Sequence, residues 1–168
     1  MSKTILITGA GSGFGKAAAI GMARNGHTVI ATVQVSSQVT PLREEAQALG
    51  LKNLRVARLD LTDSYDIAQA QSWDFDVLWN NAGMGEAGPV WEIPVDIVRR
   101  NYENNVFLPL ELTQGVVQRW IREGKNQGKQ FYSCVRAEGP YPSNPEANCK
   151  FFKWKADWTA ELKRKREG

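Results

Sequence analysis

The stretch Thr8–Gly15, TGAGSGFG, puts four glycines into eight residues, between an apolar run and a run of alanines. Glycine weakens regular structure, so its concentration there answers a backbone requirement. One glycine can make a tight turn, another can let the main chain approach a pyrophosphate, and a third can let a helix pack closely on a strand. A helix starting at that point adds unpaired N–H groups and a partial positive charge. The chemistry offered is capture of a diphosphate; the alternative is a tight turn with a capping serine. A second signal sits at Pro109. Proline within a helix has no N–H to give the carbonyl four residues back. That carbonyl belongs to Asn105, which is left able to hold a water.

These groups need a frame. Lys3–Thr8 reads as a short buried strand and Ser12–Asn25 as the helix after it, stopped by Asn25–His27. His27 falls in that turn and reads as structural. Strands are expected at Thr28–Val33, Leu54–Leu59 and Phe75–Trp79, and helices at Pro41–Leu49 and Asp63–Gln71. A long helical segment follows over Pro94–Gly124, then a fifth strand at Gly128–Val135. Three prolines, Pro140, Pro142 and Pro145, exclude regular structure around them. Phe151, Trp154, Trp158 and Leu162 recur at helical spacing, so Lys150–Glu167 reads as an amphipathic helix. Strands alternating with helices imply a parallel sheet with right-handed crossovers. The fold class is α/β, a doubly wound sheet of strand order 3-2-1-4-5, in one domain over residues 1–168.

The glycine spacing T-G-x-x-x-G-x-G, carried by Thr8, Gly9, Gly13 and Gly15, resembles that of the short-chain dehydrogenase/reductase family. So do LDLTD (Leu59–Asp63) after the third strand, NNAG (Asn80–Gly83) after the fourth, and NNVFLPLELTQ (Asn104–Gln114) in the long helix. All stand in family order from Lys3 to about Gly124. The resemblance implies a Rossmann-like fold and an NAD(P)-dependent oxidoreductase that moves hydride between nicotinamide and an alcohol or carbonyl carbon. It also implies that Gly9, Ser12, Gly13, Phe14 and Gly15 cradle the pyrophosphate. Asp60, with Leu61, then receives the adenine amino group, and Asn81, Ala82 and Gly83 line the cofactor. At the end of the second strand Gln34 stands with Val35, Ser36 and Ser37, where an acid would select NAD. NADP and NAD both remain open, and the missing acid tilts the reading toward NADP. Asn105 matches the asparagine that anchors a water in the family's proton relay.

The family's tyrosine base, with a lysine four residues later, has no counterpart: no Y-x-x-x-K occurs. Glu146 and Lys150 stand at that spacing at about the expected distance, so they are the candidates. An ordinary glutamate titrates near about 4.3, so at neutral pH it accepts protons more readily than it gives them. Ser133 and Cys134 occupy the family's serine pair, with Cys134 in the slot usually held by the catalytic serine. The family continues into two further strands, and this chain reads as truncated or altered after about residue 128. A catalytically inactive cofactor-binding or partner-binding module is the alternative function.

The totals narrow the partners. A net charge of +3 does not imply nucleic acid, and KRKR (Lys163–Arg166) suits a helix C-terminus. No apolar run approaches the roughly 18 residues of a membrane span. Two cysteines make no disulfide framework and point to the cytoplasm. No metal site is expected. The expected partners are a small alcohol or carbonyl compound and, through the aromatic stripe, a second copy of the chain.

Overall fold

Ile5, Leu6 and Ile7 form a run with no polar alternation, the pattern of a strand covered on both sides. They make up most of β1 (Thr4–Ile7), and all three are buried. The computed structural model describes residues 2–125, 131–132 and 153–154. The chain divides into two units, Met1–Arg119 and Trp120–Gly168, and the parallel sheet lies in the first.

That sheet has the order β3-β2-β1-β4, with β2 at Thr28–Val33, β3 at Leu54–Arg58 and β4 at Val77–Trp79. Ile5 lies opposite Val29 on one side and Val77 on the other, and both pairings are parallel. Helices α1 (Gly13–Arg24), α2 (Val39–Ala48) and α3 (Ser64–Ser72) connect the strands. The order reverses beside β1, and such a reversal opens a crevice at the carboxyl ends of the strands.

Successive strand residues face opposite ways. Ile5, Ile7, Val29, Ala31 and Val33 form one cluster with Ala19 and Ala23 of α1 and with Leu42 and Ala46 of α2. The small side chains of α1 let that helix approach closely. Leu6 and Ile30, in the alternate positions, are also buried. So are Ile67 and Ala70 of α3, Phe75, and Leu112 and Val116 further on, so both faces of the sheet are covered. Gly26 ends α1 at a φ of 82°, a conformation other residues avoid. The His27 ring accepts a hydrogen bond from the Lys3 N–H at 3.1 Å, a structural role.

The long helical segment is interrupted. It consists of α4 (Val95–Tyr102), a π turn (Glu103–Phe107) and α5 (Leu108–Arg122). The Leu108 N–H donates to the Glu103 carbonyl, five residues back rather than four. Pro109 accounts for this, because it removes the next ladder bond and crowds the preceding turn.

Two strand assignments differ from the sequence reading. β5 (Phe131–Tyr132) falls in the segment expected to extend the parallel sheet, but it pairs antiparallel with β6 (Lys153–Trp154). β6 in turn falls where an amphipathic helix was expected. Both strands are aromatic-rich, and such residues favour a pleated ladder as readily as a helical stripe. The rest of those two segments lies outside the described residues.

Candidate functional site

The site grows from the end of β1. Thr8 is only 1% exposed, and its hydroxyl accepts hydrogen bonds from the Asn81 N–H at 3.0 Å and the Ala82 N–H at 2.9 Å. The loop after β4 is thereby fixed to the loop after β1. Asn81 strengthens the joint: its side-chain amide donates to the carbonyls of Thr8 and Gly9, each at 3.0 Å. The Ala10 N–H donates to the Thr32 carbonyl at 2.7 Å, which fixes the loop to β2.

This close meeting explains two glycines. A Cβ on Gly9 would stand 2.7 Å from the Ala82 Cα, and Gly9 has a φ of 66°. A Cβ on Gly15 would collide with the Gly9 carbonyl and the Asn81 amide. The start of α1 thus comes against the loop backbone. Ser12 makes no side-chain capping bond, and the first turn of α1 carries no acidic residue. Its N–H groups and the positive end of its dipole are uncompensated by side chains, a setting that favours an anion.

β4 leads into residues 80–89, which have no regular structure. Asn80 donates to the Thr113 hydroxyl at 2.9 Å, so it braces α5. The Asn105 side chain meets this loop at Met84: the Met84 N–H donates to Oδ1 at 2.9 Å, and Nδ2 donates to the Met84 carbonyl at 2.6 Å. A Cβ on Gly83 would lie 2.8 Å from Asn105 Oδ1. The sequence pointed to the main chain of Asn105 and missed this side-chain contact.

At the β2–β3 side stands Asp60. Its carboxylate accepts from the Thr62 N–H and hydroxyl at 3.0 and 2.8 Å and from the Gln34 amide at 3.4 Å. Partial burial pushes its pKa up, but the Thr62 bonds, the Gln34 amide and the Arg58 guanidinium together hold it below the ordinary value. Arg58 is itself held by Asp66 at 2.9 Å and Asp63 at 3.4 Å.

Among these groups lies an open cavity of about 390 Å³, within the range of small-molecule sites; Asn105 stands behind its lining. Every residue expected to bind cofactor lines it except Gly13. Gln38, Met84 and Asn104 line it as well and were not anticipated. Gln38 reaches in from a 3₁₀ turn at Ser36–Gln38 and abuts Gly11, where a Cβ would lie 2.9 Å from its amide nitrogen. Asn104 was quoted only as part of a helical motif; its place next to Asn105 was the available signal. Ser133, Glu146 and Lys150 lie outside the described residues. A glycine turn, an uncapped helix start and a flanking carboxylate suit the diphosphate and adenosine of a dinucleotide, so the residues present fit one.

Fold and site define an α/β unit whose crevice fits a dinucleotide. The family model for the short chain dehydrogenases matches residues 3–129, and the chain belongs to that family. It is 35% identical over 121 residues to YusZ, an uncharacterized oxidoreductase of Bacillus subtilis, covering 68% of this chain and 43% of that one. It is 34% identical over 128 residues to the 7alpha-hydroxysteroid dehydrogenase of Escherichia coli, covering 73% and 49%. Among solved structures, an alcohol dehydrogenase from Comamonas testosteroni superposes with a TM-score of 0.63 at 30% identity, over 73% of this chain and 51% of that one. A short-chain dehydrogenase from Sphingobium yanoikuyae, solved with NADPH, gives 0.61 at 27% identity, over 72% and 50%. The chain therefore spans about half the length of the proteins it matches, or less.

A second family model, the GRF zinc finger, matches residues 113–157. Those residues hold two cysteines, Cys134 and Cys149, and no histidine. A closed structural zinc site takes four cysteine or histidine ligands. The donor set does not fit zinc. Among the described residues no group of three or more potential ligands occurs, and no helix is long and apolar enough to cross a membrane.

Proposed function

We propose that the chain binds NAD(P) in the cavity at the head of α1 and serves an oxidoreductase that interconverts an alcohol and a carbonyl compound. One observation carries the reading: the β1 and β4 loops are fixed together through Thr8 and Asn81 beside the uncapped start of α1. Such a cradle presents preset backbone N–H groups to a diphosphate without reorganisation. The bound nicotinamide supplies the hydride donor or acceptor. The chain's own part is to orient that ring and to move the alcohol proton. By the family resemblance, Asn105 holds a water of the proton path through its carbonyl, and Lys150 binds the nicotinamide ribose. Glu146 stands in the slot of the family's proton-accepting tyrosine, and Cys134, with Ser133 beside it, in the slot of the serine that bonds the substrate oxygen.

The test uses one preparation of the full chain. NADH and NADPH binding are followed by fluorescence, and alcohol oxidation and carbonyl reduction by absorbance. Binding of at least one nucleotide is expected, together with turnover that Lys150→Ala abolishes. Gly15→Ala forces a Cβ into the Gly9 carbonyl and is expected to weaken nucleotide binding at least tenfold. A wild-type chain that binds neither nucleotide would overturn the proposal.

A further inference from the structure

Two asparagines four residues apart treat the loop after β4 alike. Asn105 brackets Met84, as described above, and Asn101 does the same to Glu86. The Glu86 N–H donates to Asn101 Oδ1 at 3.2 Å, and Asn101 Nδ2 donates to the Glu86 carbonyl at 2.7 Å. Each side chain thus satisfies both main-chain groups of one residue, as a neighbouring strand would. The spacing makes this possible. Side chains four residues apart lie on one face of a helical segment, so both can reach the same loop. Asn105 thereby meets Met84, and Asn101 meets Glu86.

We propose that Asn101 is a positioning residue, forming with Asn105 a two-rung clip that sets the wall of the cavity over β4. The inference rests on the dinucleotide reading above. In the sheet, β2 and β4 flank β1, so the cavity's β2 end and its β4 end are about 10 Å apart. Gln34 and Asp60 belong to the first end, and Gly83 and Met84 to the second. From Thr8 outward, Asn81 and Ala82 are fixed by Thr8, Met84 by Asn105 and Glu86 by Asn101. Gly85, between the two rungs, has open space where a side chain would stand. Without the outer rung, the wall is held at Met84 alone. The Glu86 carboxylate also meets Arg100 at 3.4 Å, but both side chains are well exposed, so this pair adds little.

The two ends call for different probes. AMP occupies only the adenosine end, and NADH or NADPH occupies both. In Asn101→Ala the dinucleotide is expected to bind about tenfold more weakly, the worth of one or two lost hydrogen bonds, with AMP affinity unchanged. Asn101→Asp keeps the acceptor for the Glu86 N–H and sets a carboxylate against the Glu86 carbonyl; it is expected to behave like the alanine variant. Arg100→Ala, which leaves both rungs intact, is expected to stay within twofold of wild type for both ligands. Faster hydrogen exchange at the Glu86 amide in the Asn101 variants would report the lost rung directly. Unchanged dinucleotide affinity would overturn the proposal, and so would equal losses for AMP and dinucleotide, which mark a general structural defect. Wild-type failure to bind either ligand would overturn the cofactor reading itself.

Discussion

At Thr8 a single hydroxyl joins two loops that are 73 residues apart in sequence. It accepts two main-chain N–H bonds at a position with almost no access to water. Thr8→Val keeps the shape and leaves both donors without that acceptor. An unsatisfied buried donor costs about 1–3 kcal/mol, so a loss of about 2–4 kcal/mol is expected in urea unfolding. A loss under about 0.5 kcal/mol would mean that water replaces the hydroxyl. Asp60 bears on pH. Its folded pKa lies below the ordinary value, so its contribution is fully present above the unfolded pKa of about 3.9. That contribution falls away as pH drops through the lower, folded pKa. Asp60→Asn is expected to flatten the stability profile below about pH 4.5. An unchanged slope there would show that Thr62, Gln34 and Arg58 do not favour the charged form.

At the scale of elements, the π turn decides where Asn105 points. Pro109 forces it by withholding one N–H, and the ladder resumes in α5 after the extra residue. Pro109→Ala restores the donor and permits an unbroken α-helix, which would rotate residues before the turn by roughly 100° against those after it. The expected result is a thermal midpoint equal to or above wild type with dinucleotide affinity down about tenfold, because Asn105 and Met84 no longer face each other. Unchanged affinity would show that the turn persists without proline. The sequence revealed this element only in part. Proline chemistry located the break, but whether the chain kinks or takes an extra residue depends on what α4 and α5 pack against. The glycine loop and β4 motif were readable because close backbone approach admits few residue types. Gln38 was not readable, since a long flexible side chain can reach a cavity from many places. β5 was read as a strand, but its partner was not legible, because the parallel order was extended by analogy; β6 was read as a helix because a short aromatic run satisfies a period of two and a period of 3.6 equally well.

For the molecule as a whole, two family models claim overlapping residues, and the structure weighs on the overlap. Residues 113–122 fall within α5, which begins before the zinc-finger match and carries neither cysteine nor histidine. Val116 is buried there, Thr113 bonds the Pro109 carbonyl at 2.7 Å, and Arg119 donates to the Trp73 carbonyl at 2.6 Å. The start of the match, as far as Arg119, is thus helix that belongs to the first unit. Past it the chain offers two thiolates, and its one histidine, His27, accepts from Lys3. Two thiolates fall short of the closed four-ligand shell that gives structural zinc its folding energy. After dialysis against zinc-free buffer, the full chain is therefore expected to hold well under half a zinc per molecule by plasma mass spectrometry. A strong chelator is expected to leave both the melting midpoint and NADH binding unchanged. One zinc per chain, or one shared by two copies, that survives dialysis and is lost in Cys134→Ser would show that further ligands complete the site. The second unit would then be metal-dependent, while the cavity at the head of α1, built from residues 9–104, would still be expected to bind nucleotide without metal.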